Sequence, residues 1–252
     1  MKALRLVTRT LGELFITFGF LLLLFVAWQL WWTDVTANRQ QASTIEALER
    51  GFQQDEFGVK KAPVTKKAPV TTKAPVTKTA PAPLARLARV PLGEAFGIVR
   101  IPRFGANNAR PALNGTDDQT LTKGIGQYRS SAQPGEVGNF SVAGHRTTYG
   151  RPFHNIDLLK KGDVIVVETK DRYVVYAVDR HVIVLPSQVE VIAPVPQRPG
   201  VQATQAWMTM TSCHPKFSAR QRYVVFAKLV KTFPRAGGLP ASFMAVPAGE
   251  VA

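Results

Sequence analysis

The chain has 252 residues and a formal net charge of +15, with 32 Lys and Arg against 17 Asp and Glu. A single cysteine excludes an intramolecular disulfide, and one cysteine with four histidines argues against a structural zinc site. The positive charge is concentrated in residues 59–90, which hold eight Lys and Arg and no acid. No aromatic side chains are interleaved with these cations, which argues against nucleic acid and favours an anionic cell envelope.

An apolar segment of membrane-spanning length lies near the N-terminus. Residues 14–32 read LFITFGFLLLLFVAWQLWW, 19 residues without a charge. As a helix they span about 28 Å, one bilayer core. Lys2, Arg5 and Arg9 precede this run, so the positive-inside rule predicts a cytoplasmic N-terminus over residues 1–13 and an extracellular remainder. A cleaved signal peptide is the alternative, but its apolar core is usually shorter, and we predict an uncleaved signal-anchor.

Residues 33–91 are predicted to be an extracellular linker. The first part is polar and indicates at most a short helix over residues 44–53, without a strong apolar face. Residues 61–77 then carry three copies of Lys-Ala-Pro-Val-Thr at a period of six. Polyproline-type backbone at about 3.1 Å per residue lets residues 61–83 reach about 70 Å, so we expect this segment to hold a folded domain away from the membrane. Its lysines suit anionic wall polymers, and a solubilising tract with no partner is the alternative.

From about Leu92 the pattern changes to short β-type runs separated by turns. The six runs cover residues 96–102, 139–144, 163–169, 172–184, 205–212 and 222–230. Helical patterns are confined to residues 117–123 and 153–159. Six or more strands with few helices predict an antiparallel barrel or sandwich. We place this domain at residues 92–231 and expect residues 232–252 to form a flexible tail.

The single cysteine lies at the end of one predicted strand, in TMTSCHPKFSARQRYVVFAKL (209–229). If the strand ending at Ser212 pairs antiparallel with the strand starting at Arg222, Cys213 and Arg222 lie at the same rim of the sheet. A guanidinium in that place favours the thiolate over the thiol and stabilises an oxyanion. Both effects assist attack on an amide carbonyl.

Such an attack also needs a proton donor for the leaving amine, normally a histidine. His145 follows the predicted strand NFSVAG and opens a loop, the usual place for a catalytic group. His214 is adjacent to Cys213 and points to the opposite face of an extended backbone. His181 is typical of a half-exposed strand residue, and His154 of a local hydrogen-bonding residue. We therefore predict that His145 is the acid.

Two segments of the chain resemble the sortase family, and within it the class E sortases of Gram-positive bacteria. They are SVAGHRTTYGRPFHNIDLLKKGD (141–163) and the cysteine-containing segment, and the similarity extends over about residues 96–230. The family's Thr-Leu-x-Thr-Cys pattern falls on Thr209 to Cys213, with Met210 in place of Leu and Ser212 in place of the second Thr.

The resemblance implies an all-β domain, an eight-stranded sortase-type β-barrel with short helices, behind one N-terminal transmembrane helix. It implies a cysteine transpeptidase in which Cys213 attacks the Thr-Gly bond of a C-terminal sorting signal and forms a thioacyl intermediate. His145 would protonate the leaving Gly amine and later deprotonate the incoming amine, while Arg222 would stabilise the oxyanion and position the peptide. No metal or organic cofactor is needed for this chemistry.

The resemblance also implies the partners. They are surface proteins that carry the sorting signal, lipid II or another peptidoglycan amine as acceptor, and the cytoplasmic membrane that anchors the enzyme. Class E members are associated with a Leu-Ala-x-Thr-Gly (LAXTG) signal rather than Leu-Pro-x-Thr-Gly (LPXTG), and Tyr128 in GIGQY falls at the position linked with that preference. We expect Tyr128, Thr211 and Ser212 to bind substrate. Gln127 stands where many relatives are expected to have His, which leaves the choice of signal open.

Three alternatives remain at this point. An L,D-transpeptidase or other envelope Cys/His peptidase would also be anchored, but its usual Ser-His-Gly before the cysteine and its nearby Arg fit TMTSCHP and the nine-residue step to Arg222 poorly. A peptidase would use the same residues and let water resolve the thioester. A non-enzymatic wall-binding module would keep Cys213 as an inert core residue.

Overall fold

The computed structural model describes residues 2–57 and 86–247. The predicted spacer over residues 61–83 lies outside the described residues. The elements in chain order are α1 (Lys2–Phe57), β1 (Ala95–Arg100), β2 (Arg110–Asn114), α2 (Asp118–Thr122), β3 (Ile125–Gln127), β4 (Gly138–Ala143), β5 (Val164–Thr169), β6 (Arg172–Val184), β7 (Ala206–His214) and β8 (Gln221–Pro234).

The eight strands close into a barrel in the order β1-β2-β3-β4-β7-β8-β6-β5. The prediction of a β-barrel is therefore confirmed, but the antiparallel prediction is only partly correct. Among the residues that the structure describes, β2 pairs with β3 and β4 with β7 in parallel, while the other six pairings are antiparallel. Alternation of apolar and polar residues identifies a strand without specifying the direction of its neighbour.

Alternate side chains of the strands fill the barrel interior. Phe140 and Val142 of β4 are fully buried beside Met208 and Met210 of β7, because these strands pair in register. The larger set of core residues includes Val99, Ile125, Phe153, Ile165, Val174, Tyr176 and Val225. This packing makes the barrel a rigid support for the loops at its ends.

Two strands were not predicted from the sequence because they are short and contain proline or glycine. β2 reads RPALN and β3 reads IGQ, five and three residues that resemble turns by composition. β8 continues through Pro234, so residues 232–234, assigned to the tail from sequence, are part of the barrel. The helical pattern over residues 153–159 shortens to a single 3-10 turn, Ile156–Leu158, whereas the pattern over 117–123 corresponds to α2.

α1 is one helix of 56 residues that extends far beyond the short helix expected over residues 44–53. Its first part is exposed, and within Val7–Gln54 it is long and apolar enough to be a membrane anchor or a signal sequence. Its second part lies against the barrel, with Ala37, Gln41 and Phe52 buried on one face. We call these contacts, from Asp34 to Phe52, the α1 interface.

Candidate active site

The parallel pairing of β4 with β7 brings His145 and Cys213 to neighbouring strand ends. Ala143 is the register partner of Thr211, and the Gly144 amide donates to the Thr211 carbonyl oxygen at 3.1 Å. His145 and Cys213 each follow these paired residues by two positions, on strands that run in the same direction. Two adjacent strand ends therefore present the imidazole and the thiol at the same end of the barrel.

The antiparallel pairing of β7 with β8 adds the arginine. Cys213 and Arg222 are direct register partners, as the sequence predicted. Arg222 Nη1 donates to the backbone carbonyl oxygens of Ala219 and Gln221, at 2.8 and 3.0 Å. Among the described residues Nε and Nη2 of Arg222 have no such partner and are available to a substrate oxygen. We call the barrel end formed by His145, Cys213 and Arg222 the rim.

The thiol at the rim is a free cysteine of intermediate burial, unlike an inert cysteine in the packed core. His145 is also partly buried, and its ring lies 5.0 Å from the ring of Tyr149. Burial lowers the pKa of His145 below the ordinary value of an imidazole, and the negative charge of Asp118 partly opposes this. The neutral imidazole is therefore favoured at neutral pH.

A sortase domain model matches residues 99–230, more than half of the chain and all three residues of the rim. The chain belongs to the sortase family. Sortase SrtE1 of Streptomyces coelicolor is 33% identical over 241 residues, which cover 92% of this chain and 60% of that protein. The present chain thus spans less than two thirds of the length of this class E relative.

Two solved structures are similar to the sortase described here. The SrtA sortase from Actinomyces oris has 40% sequence identity and a TM-score of 0.60, and the match covers 66% of this chain and 96% of that one. Sortase E1 from Streptomyces coelicolor with a tripeptide in the active site has 35% identity and a TM-score of 0.55, covering 61% and 98%.

Arg146 is a residue of this sortase that the sequence reasoning missed. It is buried beneath the rim, where Nη1 donates to the Cys213 carbonyl oxygen at 3.3 Å and lies 3.0 Å from His214 Nδ1. Nη2 forms an ion pair with Asp157 at 2.8 Å, and the guanidinium lies over the ring of Tyr223. In the sequence, the available indication of a role for Arg146 was its position directly after His145. Arginine is rarely buried unless it is paired, and the structure supplies these partners.

The other histidines of the sortase have structural partners. His154 Nδ1 lies 3.0 Å from the Arg146 carbonyl oxygen, and its Nε2 lies 3.3 Å from Lys216 Nζ. The contact with Arg146 is the local hydrogen bond expected of His154, and the contact with Lys216 links the loop after β4 to the loop between β7 and β8. His181 is exposed on β6 and stacks on Tyr223 at 5.2 Å.

The three predicted substrate-binding residues lie close to the rim. The Tyr128 hydroxyl is 3.0 Å from Thr211 Oγ1, which itself donates to the Val142 carbonyl oxygen at 3.3 Å. Either hydroxyl can be the donor in the pair of Tyr128 with Thr211. Ser212 is buried, and its hydroxyl donates to the Gly144 carbonyl oxygen at 2.9 Å, so this side chain ties β7 to the residue that precedes His145.

Proposed function

We propose that this sortase cleaves a LAXTG-like C-terminal sorting signal between Thr and Gly and transfers the acyl chain to an amine of a cell-wall precursor. The observation that carries the proposal is the placement of His145, Cys213 and Arg222 on the ends of three neighbouring strands. A nucleophile, a proton carrier and an oxyanion donor are the groups that acyl transfer from an amide requires.

In the first half of the reaction, the Cys213 thiolate attacks the carbonyl carbon of Thr in the signal, and a tetrahedral oxyanion forms beside Arg222. Collapse of this species breaks the C–N bond and forms a thioester on Sγ. The Gly amine leaves with a proton donated by His145, which reacts from its imidazolium form, the less populated form at neutral pH, and becomes neutral imidazole.

In the second half, the incoming amine attacks the thioester carbonyl and gives up a proton to neutral His145. The C–S bond then breaks, which releases the Cys213 thiolate and an amide product. Each proton that His145 donates is recovered from the acceptor, so the enzyme returns to its starting state. Because burial lowers the pKa of His145, the imidazole formed in the first half stays unprotonated near neutral pH and is available as the base.

We propose lipid II or another peptidoglycan amine as the acceptor, and surface proteins that carry the sorting signal as donors. We also propose that α1 anchors the sortase by crossing the membrane once, with the N-terminus cytoplasmic, because Lys2, Arg5 and Arg9 precede its apolar run. With this orientation, a membrane-impermeant thiol reagent added to intact cells should modify Cys213, the sole cysteine.

The test is an assay of the full chain in detergent with matched fluorogenic LAXTG and LPXTG peptides and an amine acceptor. Cysteine-dependent formation of the amine-linked product supports transpeptidation, and the ratio of kcat/KM values ranks the two signals. Hydrolysis without any amine-linked product would instead favour a peptidase.

The hydrogen bond between Tyr128 and Thr211 supports a role of Tyr128 in choosing the signal, since it orients the phenol beside the rim. Tyr128→Phe removes only the hydroxyl and should reduce the ratio of LAXTG to LPXTG cleavage by several-fold. Thr211→Val should have a similar effect, because it leaves the phenol without its hydrogen-bond partner. An unchanged ratio in both variants would contradict this role.

A further inference from the structure

α1 contacts the barrel at two well-separated places along the helix. Near the start of the α1 interface, Asp34 Oδ1 accepts a hydrogen bond from the Gly150 amide at 3.0 Å, and Oδ2 forms an ion pair with Arg151 Nε at 2.9 Å. At the end of the interface, Phe52 packs beneath the guanidinium of Arg235 at 4.3 Å. The distance along the helix between Asp34 and Phe52 is about 27 Å.

These contacts lie at opposite ends of the barrel. Gly150 and Arg151 belong to the loop that His145 opens, at the rim. Arg235 follows the last residue of β8 and donates to the Thr169 carbonyl oxygen at 2.9 Å, beside the turn between β5 and β6. Since β8 begins at the rim with Arg222 and ends next to Arg235, α1 runs from the rim toward the far end of the barrel.

The apolar run of α1 ends just before the first of these contacts. Trp28, Trp31 and Trp32 lie at its end, and indole rings favour the membrane interface. The headgroup layer adds about 5–7 Å beyond the hydrocarbon core, or about four residues of helix. Asp34 falls within this layer, and its contacts bring the loop after His145 to the same level.

The loop between β7 and β8 supplies an independent observation. Phe217 in this loop is 85% exposed, although it is a large apolar side chain. Lys216 and Arg220 flank it, and Lys216 is linked through His154 to the loop that α1 holds. An exposed aromatic ring among cations is suited to an interface between water and anionic lipid headgroups.

We propose that the rim of this sortase rests on the outer surface of the membrane, with Phe217 among the lipid headgroups and Lys216 and Arg220 against their phosphates. The inference rests on the proposed role of α1 as an uncleaved anchor. It identifies an anionic lipid surface as the partner of the loop between β7 and β8. The height of the rim above the bilayer is then set by the α1 interface rather than by the Lys-Ala-Pro-Val-Thr repeats.

This orientation has a consequence for the acceptor. A lipid-carried amine would reach the rim without leaving the membrane surface, because the open end of the barrel faces the layer in which its headgroup lies. A rim pointing away from the membrane would require an acceptor to extend past the full length of the barrel. The structure therefore favours lipid-carried amines over soluble ones as substrates of the second half-reaction.

The test places a fluorophore on the full chain. Cys213→Ala removes the sole cysteine, so Phe217→Cys in that background creates one labelling site, and Ala236→Cys creates a matched exposed site beside Arg235 at the opposite end. The labelled proteins are reconstituted in vesicles of phosphatidylglycerol and phosphatidylethanolamine that contain a lipid with a headgroup nitroxide. We expect the probe at residue 217 to be quenched several-fold more than the probe at residue 236.

The outcomes separate the orientation from the anchor. If the protein floats with the vesicles but the probe at 217 is quenched no more than that at 236, the orientation is wrong while the anchor stands. If the protein does not float with the vesicles, the proposed anchor is wrong, and so is the orientation that depends on it. Neither result depends on which sorting signal the enzyme cleaves.

A second variant separates a lipid contact from a peptide contact. Phe217→Ser in the active enzyme should leave cleavage of a soluble peptide unchanged and reduce transfer to a lipid-carried amine in vesicles by several-fold. An equal loss with the soluble peptide would make Phe217 part of the peptide-binding surface and would overturn its assignment to the membrane.

Discussion

The rim and the α1 interface meet at the loop after His145, yet different interactions hold them. At the rim, backbone hydrogen bonds between β4, β7 and β8 set the positions of His145, Cys213 and Arg222. At the α1 interface, individual side chains make the contacts, such as Gln41 Nε2 to the Tyr149 carbonyl oxygen at 3.0 Å. Substitutions at the rim should therefore change chemistry without unfolding the barrel, whereas substitutions at the interface should change docking and stability.

The strongest test of the rim is Cys213→Ala. The side chain is only partly buried, so its loss leaves the barrel intact, but it removes the nucleophile. We expect turnover to fall by at least about 10³-fold in the peptide assay, with the thermal unfolding midpoint almost unchanged. Turnover close to that of the parent enzyme would overturn the proposed mechanism.

Arg222→Lys should give the next largest effect. An ammonium retains the charge but cannot donate to two carbonyl oxygens of the loop and to a substrate oxyanion with the geometry of a planar fork. We expect kcat/KM to fall by about 10²-fold, the cost of losing one oxyanion donor. Arg220→Lys, at an exposed residue of the same loop, is the control and should retain full activity on the soluble peptide.

Gly150→Ala tests the α1 interface. Gly150 has φ of 75°, and an added Cβ would lie 2.8 Å from Asn38 Oδ1 and 3.0 Å from Gln41 Nε2. Gly162→Ala is a matched control, since Gly162 has φ of 92° but a Cβ there meets nothing within 4 Å. The two variants share the cost of a left-handed backbone, so their difference reports the contact with α1.

We expect Gly150→Ala to lower the free energy of unfolding by about 1 kcal/mol more than Gly162→Ala does. Hydrogen exchange should become faster in residues 34–52 of the first variant only, while cleavage of a soluble peptide stays within a few-fold of the parent. Equal exchange in both variants would mean that the helix docks without the close approach at Gly150.

Among these variants, Asp118→Asn should have the smallest effect on activity. It tests the rim through the pKa of His145. The carboxylate of Asp118 raises the pKa of His145 against the lowering caused by burial. Its removal should lower this pKa further, so kcat/KM of the variant should match that of the parent at low pH and fall below it as the pH rises through the pKa of His145. Asp118 is exposed, so added salt should diminish the difference between variant and parent. A variant whose kcat/KM equals or exceeds that of the parent at every pH would contradict the assignment of His145 as the acid.

The residues of the rim could be predicted from the sequence because each lies at the end of a strand with clear alternation. The same reasoning failed for β3, whose three residues include Gly126 and carry no periodic pattern. It also missed Arg146, because a basic residue in a loop is usually exposed, and only the structure places Asp157 and the Cys213 carbonyl oxygen around its guanidinium.

The α1 interface was not predicted from the sequence, for a related reason. The face that contacts the barrel includes the partly buried Asp34 and the buried Ala37 and Gln41, which a search for an apolar stripe does not detect. Gln41 is almost fully buried because it bonds both to the Tyr149 carbonyl oxygen and to Arg110 Nη1. Those partners lie 108 and 69 residues away in the chain, and nothing local in the helix indicates them.

Local sequence patterns were enough to identify the apolar segment, most of the strands, and the placement of His145, Cys213 and Arg222 at strand ends. These properties follow from local alternation and composition, which act over a few residues. The folded structure was needed to establish that β4 lies beside β7, that α1 runs away from the rim along the barrel, and that burial lowers the pKa of His145. These depend on contacts between distant segments, whose energies are realised only when the barrel closes.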